Sequence, residues 1–235
     1  MSNIFVGSFY RSGSNHISGS LANLLGCNRT YLHSSGEGYA QDPQRLDLNI
    51  ANIMFGRFDG MVYLGHLMGT KYNVGILKAF GPSVIVTMRK LIPCLHSLRR
   101  YEDALVADGL KDDKYFNAEW PTYTNKQKWG WVAYNIIPWY YQCYVTWMKA
   151  DIPHMTVWFE EHFADQIASV RDMLKFLGVD GVPQEHIEKC FLHKDINYTK
   201  TRTIHEVPQF VSDEAYKQAE CWGQEWGDRI VRDLL

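Results

Sequence analysis

Apolar residues along this chain fall into short runs, and between them lie stretches with helical spacing. Ile4-Phe5-Val6-Gly7 predicts a buried strand that ends in a glycine turn, and a helix follows from about Asn15 to Leu25. Residues His33 to Pro43 are rich in Ser, Gly and Asp and predict a loop; Arg45 to Phe55 predicts a helix. Met61 to Leu64 is the next strand, and Thr70 caps a helix that runs to Phe80. After Gly81-Pro82, Ser83 to Met88 is the clearest strand in the chain, followed by a helix from Leu91 to Ala107. Lys111 to Asn125 is polar and irregular. A long helix is predicted from Lys126 to Lys149, with a kink at Pro138. Met155 to Phe159 is a further strand, Ala164 to Leu177 an amphipathic helix stopped by Gly178. A helix after Pro183, a loop from Asn197 to Gln209 and a last helix from Ser212 complete the pattern. Strands alternating with helices predict a three-layer α/β/α domain with a central, mostly parallel sheet, and residues 1–235 form one such domain.

Composition narrows the function classes. The net charge is −2, so no global basic field marks the chain as a nucleic-acid binder. The cysteines Cys27, Cys94, Cys143, Cys190 and Cys221 are scattered and odd in number, which argues against a disulfide framework or a structural zinc site and for a reducing, cytoplasmic setting. The first residues lack the basic and long apolar regions of a signal peptide, and no stretch has the apolar length of a membrane span. No Asp/Glu/His group has metal-ligand spacing, so no metal site is expected.

The chemistry concentrates in Ser8-Phe9-Tyr10-Arg11-Ser12-Gly13-Ser14-Asn15, between the first strand and the first helix. A loop there aims backbone N–H groups at whatever lies above the helix N-terminus, where partial positive charge favours phosphate or sulfate. Ser12, Ser14 and Asn15 add side-chain donors, and Arg11 adds a planar fork suited to oxyanions. A nucleotide kinase or other NTPase would carry the Walker spacing with its lysine. Here Gly13 is followed by Ser14-Asn15, and the lysine is missing.

Arg11-Ser12-Gly13-Ser14-Asn15 resembles the 5′-phosphosulfate loop of the sulfotransferases: Lys or Arg, Ser or Thr, Gly, Ser or Thr, then Thr or Asn. Val86-Thr87-Met88-Arg89, with Ser97 eight residues after the arginine, resembles that family's 3′-phosphate motif. Tyr63-Leu64-Gly65-His66-Leu67 is similar to the strand end where many members place a catalytic histidine. Val157-Trp158-Phe159-Glu160-Glu161, then Phe176-Leu177-Gly178-Val179, resembles two further family segments in the same order.

The resemblance implies a P-loop-like fold and transfer of a sulfuryl group from 3′-phosphoadenosine 5′-phosphosulfate to a hydroxyl on a small molecule or glycan, without a metal. It implies His66 as the base and Arg11 as the group that holds the leaving phosphate oxygen. Ser12, Gly13, Ser14 and Asn15 would line the donor, and Arg89 with Ser97 would bind its 3′-phosphate. His16 stands either at the sulfonate or as a plain exposed residue. Phe159 serves either as an adenine wall or as core. The C-terminal loop lacks the family's glycine-rich motif, and Lys200 or Arg202 would replace its phosphate contact. The long helix keeps Trp129, Val132, Ala133, Ile136, Tyr140, Tyr144 and Trp147 on a core stripe, leaving Trp131, Trp139 or Tyr141 for an acceptor. Two alternatives remain at this stage: a P-loop nucleotide kinase or NTPase, and a non-catalytic nucleotide-binding module.

Overall fold

In the computed structural model the described residues are 2–32, 46, 51, 55–56, 59–107, 120–192, 207–226 and 234–235. Among them, five strands form one parallel sheet: β1 (Ile4–Ser8), β2 (Arg29–Tyr31), β3 (Val62–Gly65), β4 (Ser83–Met88) and β5 (His154–Trp158), in the order β2-β3-β1-β4-β5. The period-2 alternation of a strand divides its side chains between two faces. On one face Ile4, Val6, Val62, Leu64, Ile85 and Val157 pack with α1 (Ser14–Leu25) and with residues of α7 (Gln166–Phe176) and α8 (Gln184–Phe191). On the other, Phe5, Tyr63, Val84, Val86 and Met88 pack with α2 (Lys71–Phe80), α3 (Leu91–Ala107), α5 (Ile137–Met148) and α9 (Gln209–Trp226). Both faces are therefore apolar, which is why these strands read as continuous hydrophobic runs.

The order of the strands creates the functional edge. After β1 the chain moves onto the face of α1 and out to β2; after β4 it moves onto the opposite face along α3 and on to β5. β1 and β4 are neighbours, with Ser8 in register with Thr87. Their outgoing connections diverge and leave a crevice at the carboxyl ends of the strands, the place where open parallel sheets bind ligands.

Most predicted elements lie where the pattern put them, including the Thr70 cap, whose hydroxyl accepts the Asn73 N–H at 3.3 Å. The long aromatic helix differs. It consists of α4 (Asn125–Trp131), a π-helical turn over Val132–Ile136 and α5. Pro138 has no N–H and its ring crowds the preceding turn, and a widened turn relieves both. The helix expected from Ala164 begins at Gln166, and a short helix the pattern did not give, α6 (Phe159–Ala164), precedes it; Asp165 separates the two and caps α7 by accepting the Ala168 N–H at 2.9 Å. The last helix begins at Gln209 rather than Ser212. The expected loop from His33, most of the Arg45–Phe55 helix and most of the Asn197–Gln209 loop lie outside the described residues.

One glycine lets the segment after β3 pack closely against α5. A Cβ on Gly69 would lie 2.7 Å from the Thr146 carbonyl oxygen and 2.8 Å from the Trp147 Cα, both backbone atoms that cannot swing away. The Trp147 indole N–H donates to the Leu67 carbonyl at 2.7 Å, which holds the two segments together. Gly69→Ala is expected to cost about 1–3 kcal/mol through overpacking. Thermal melting checks this, and an unchanged midpoint would contradict the close approach.

Candidate functional site

The loop from β1 to α1 is built around two left-handed residues. Gly13 has φ 81° and Arg11 has φ 63°, and Arg11 is the only non-glycine residue with positive φ among the described residues. For a non-glycine residue this conformation costs roughly 1–2 kcal/mol, so surrounding contacts must hold it. Arg89, just past the end of β4, donates from Nη1 to the Arg11 carbonyl at 3.0 Å. The Arg11 Nε donates to the Ser97 hydroxyl at 3.2 Å, and its guanidinium lies 4.6 Å from the centre of the Tyr101 ring. Arg11, Arg89 and Ser97, predicted from three separate segments, are thus joined directly.

Further contacts pin the loop from below. The Ser12 hydroxyl is fully buried; it donates to the Phe9 carbonyl at 2.8 Å and lies 2.7 Å from the Thr87 hydroxyl. What Ser12 offers an anion is therefore its backbone N–H, since its side chain is used inside the loop. The Cys94 thiol and the Tyr140 phenol both donate to the Tyr10 carbonyl. Burial pushes the Cys94 thiol up to about 12, so it stays protonated and keeps donating.

The first α1 amide with a carbonyl four residues back is Ile17's, bonded to Gly13 at 3.0 Å. The amides of Ser14, Asn15 and His16 precede it at the helix N-terminus without intrahelical acceptors. A Cβ on Gly13 would lie 3.0 Å from Phe159 and 3.5 Å from Phe163, so glycine is required there for space as well as for φ. Phe159 is the first residue of α6. Its ring packs under the Arg89 guanidinium at 4.0 Å, half-buried beside the loop.

Arg89 lies 3.9 Å from the Glu160 carboxylate, which accepts the Lys90 N–H at 3.2 Å. The Arg89 Nε is buried and has no hydrogen-bond partner among the described residues. The mouth of the loop thus gathers two guanidinium groups, an orphan buried N–H and a set of helix-end amides around one carboxylate. That donor set fits an oxyanion.

His66 follows β3, whose Gly65 is in register with Gly7. It therefore stands next to Ser8 across the strand pair. Its Nδ1 lies 2.8 Å from the Ser8 hydroxyl and 3.1 Å from the Ser8 carbonyl oxygen. A carbonyl only accepts, so in the tautomer with its proton on Nδ1 the ring donates to Ser8 and Nε2 is the basic atom. Burial pulls the imidazole down to about 4, partly offset by the backbone bond to Ser8. Tyr10 covers one side of the ring at 4.2 Å, and Trp139 stacks on Tyr10 at 5.0 Å.

Three expected positions differ from the pattern. His16 is 7 % exposed, so it is not a plain surface residue; it packs on His162, Phe163 and Phe191, with Gln166 Nε2 3.4 Å from its Nε2. Tyr141 is fully buried and donates to the Ala215 carbonyl at 2.9 Å, so it faces α9 and not an acceptor. The helix is covered there on two sides, by the loop near Tyr140 and by α9 near Tyr141. Trp131 packs edge-on against Trp120, leaving Trp139 as the off-stripe ring that borders His66 through Tyr10. Arg202 and Lys200 lie outside the described residues. Ser8, Tyr10, Tyr101 and Glu160 are site neighbours that sequence reasoning gave no role. Only Ser8 carried a signal, because pairing of β1 with β3 sets it beside His66.

No protein-family model matches the sequence, and no curated protein matches it either. The folded chain does have a solved counterpart in class: its α/β architecture is the P-loop-like fold of a sulfotransferase. One such neighbour is mouse sulfotransferase SULT7A1, solved in complex with PAP. It superposes with a TM-score of 0.61 over 87% of this chain and 68% of the mouse chain, at 14% identity. That likeness establishes the fold. Among the described residues, no helix is long and apolar enough to cross a membrane.

The buried histidines make stability depend on pH. His162 is fully buried and His66 half-buried; burial holds each at about 4, against 6.5 when unfolded, and His16 adds repulsion at His162. Between those values the unfolded chain binds protons that the native chain refuses, so stability falls as pH drops from 6.5 toward 4. His162→Phe is expected to flatten that slope by up to about 1.4 kcal/mol per pH unit. Urea midpoints at neutral and acidic pH check this; an unchanged slope would contradict it.

Proposed function

We propose that this protein is a sulfotransferase. Its donor would be 3′-phosphoadenosine 5′-phosphosulfate, and its acceptor a hydroxyl of a carbohydrate or of a small aromatic or lipid alcohol. The observation that carries the reading is the joined set of Arg11, Arg89 and Ser97 at the mouth of a phosphate-type loop that lacks a Walker lysine. A kinase or NTPase has no lysine here to reach a terminal phosphate. That the mouse neighbour was solved in complex with PAP supports a nucleotide donor for this fold.

The residues would share the work as follows. The donor, when bound, supplies the sulfuryl group and a phosphate leaving group. Arg89 and Ser97 would hold the 3′-phosphate, with the orphan Arg89 Nε as one donor. The amides of Gly13, Ser14 and Asn15 would cradle the 5′-phosphate. Phe159, already under Arg89, would give the adenine a flat wall. Arg11 would balance negative charge as it grows on the leaving oxygen. The His66 Nε2 would take the acceptor proton, with Ser8 fixing the tautomer through Nδ1. Arg202 or Lys200 would add a phosphate contact from the C-terminal loop.

Assays of sulfuryl transfer on purified variants test this reading. His66→Ala is expected to lose about 10²–10⁴-fold in turnover while binding adenosine 3′,5′-bisphosphate normally. Arg11→Ala is expected to lower turnover more than nucleotide affinity. The acid limb of kcat/KM for the native enzyme should fall near the free-enzyme value of about 4. The limb of kcat should lie higher, because a bound anion favours the imidazolium. A well-folded His66→Ala protein with near-native turnover would remove His66 from the mechanism. Nucleotide binding without transfer to any hydroxyl would leave a non-catalytic module.

A further inference from the structure

Asn15 lies in the first turn of α1 and is exposed, yet its side chain is held by groups from another element. Arg29 Nη2 donates to the Asn15 Oδ1 at 2.5 Å, and Nη1 donates to the Asn15 carbonyl at 3.2 Å. The Tyr31 hydroxyl also donates to the Asn15 Oδ1, at 2.5 Å, and accepts from Arg29 Nη2 at 2.7 Å. Arg29 and Tyr31 are the first and last residues of the three-residue edge strand β2. The guanidinium lies 5.0 Å from the centre of the Tyr31 ring.

The chemistry of these partners fixes the orientation of the carboxamide. A guanidinium has no acceptor, so the Asn15 atom that faces it must be the oxygen. Two donors then occupy that oxygen. The Nδ2 amide, with two N–H groups, is the end of the side chain that Arg29 and Tyr31 do not hold. At a helix N-terminus, a side chain presenting only N–H suits an anion and repels nothing. Were the carboxamide free to turn, its oxygen would face the same anion half of the time.

Gly19 points the same way from a different position. Glycine inside a helix costs about 1 kcal/mol relative to alanine. A Cβ at Gly19 would lie 3.1 Å from Arg29 Nη1. The bare helix flank there gives the guanidinium its path to Asn15.

We infer that Arg29 and Tyr31 are positioning residues for the donor loop: they hold Asn15 with its amide N–H groups toward the 5′-phosphosulfate. This rests on the donor-site reading above. It adds β2, whose Arg29 and Tyr31 reach the site through Asn15.

A double-mutant cycle on the full chain tests it, with adenosine 3′,5′-bisphosphate binding read by calorimetry. In the native background Tyr31→Phe and Arg29→Gln should each weaken binding about 3- to 10-fold. In an Asn15→Ala background the same changes should matter less than twofold, because there is no carboxamide left to orient. Asn15→Asp gives a second arm. Its carboxylate still accepts from Arg29 and Tyr31, so thermal stability should hold, while binding should fall more than tenfold for want of an N–H. Equal effects of Tyr31→Phe with and without Asn15 would overturn the inference. So would native affinity in Tyr31→Phe and Arg29→Gln when the native chain binds the nucleotide. A native chain that does not bind it overturns the donor-site reading, and this one with it.

Discussion

Everything at the functional edge depends on the pairing of β1 with β4. The register that sets Ser8 beside Thr87 brings two outgoing connections together and sends them to opposite faces of the sheet. Two short contacts seal the junction: the Phe9 N–H to the Thr87 carbonyl at 3.3 Å, and the Ser12 hydroxyl against the Thr87 hydroxyl. A slip of one residue would turn Thr87 to the other face of the sheet. It would also move Arg89 away from the Arg11 carbonyl. The same β1 pairs on its other side with β3, which brings His66 to Ser8. One strand thus sets both the anion-binding groups and the base, and the distance between them is a property of the sheet.

The loop itself stores cost. Arg11 occupies a backbone region that favours glycine, and several partners hold it there: Arg89 on its carbonyl, Ser97 and Tyr101 on its side chain, Cys94 and Tyr140 on the preceding carbonyl. Strain held by this many contacts is spent before any ligand arrives, so the amides and guanidinium groups need little reorganisation on binding. The aromatic stack of Trp139, Tyr10 and His66 has a related effect. It removes water from one side of the imidazole and keeps the ring neutral at ordinary pH.

Much of this was legible in the sequence, for a physical reason. Strands buried on both faces appear as unbroken apolar runs, so Ile4–Ser8, Val62–Gly65 and Ser83–Met88 stand out, and motifs at their ends can be placed by order alone. Arg11 stood out in the loop after the first run, Arg89 and Ser97 through the family resemblance, and the three meet. β2 was not legible: Arg29–Tyr31 is short, polar and partly exposed, and gains its structure from β3 alone. The two-sided burial of α5 was hidden as well, because Tyr141 reads as off-stripe until α9 is seen to cover it. Pro138 announced a distortion, but only tertiary packing decides that it becomes a π turn at Val132–Ile136. The role of His16 could not be read, since burial in the first turn of a helix depends on α6 to α8, far along the chain.

The central claim is that the β1–β4 crevice reads a nucleotide with phosphates on both its 3′ and 5′ oxygens. Calorimetric titration of the native chain with adenosine 3′,5′-bisphosphate and with adenosine 5′-monophosphate tests it most directly. Charge-assisted hydrogen bonds to the additional phosphate are worth about 1.5–3 kcal/mol each, so the bisphosphate should bind more than tenfold more tightly. Equal affinity for the two nucleotides would contradict the account.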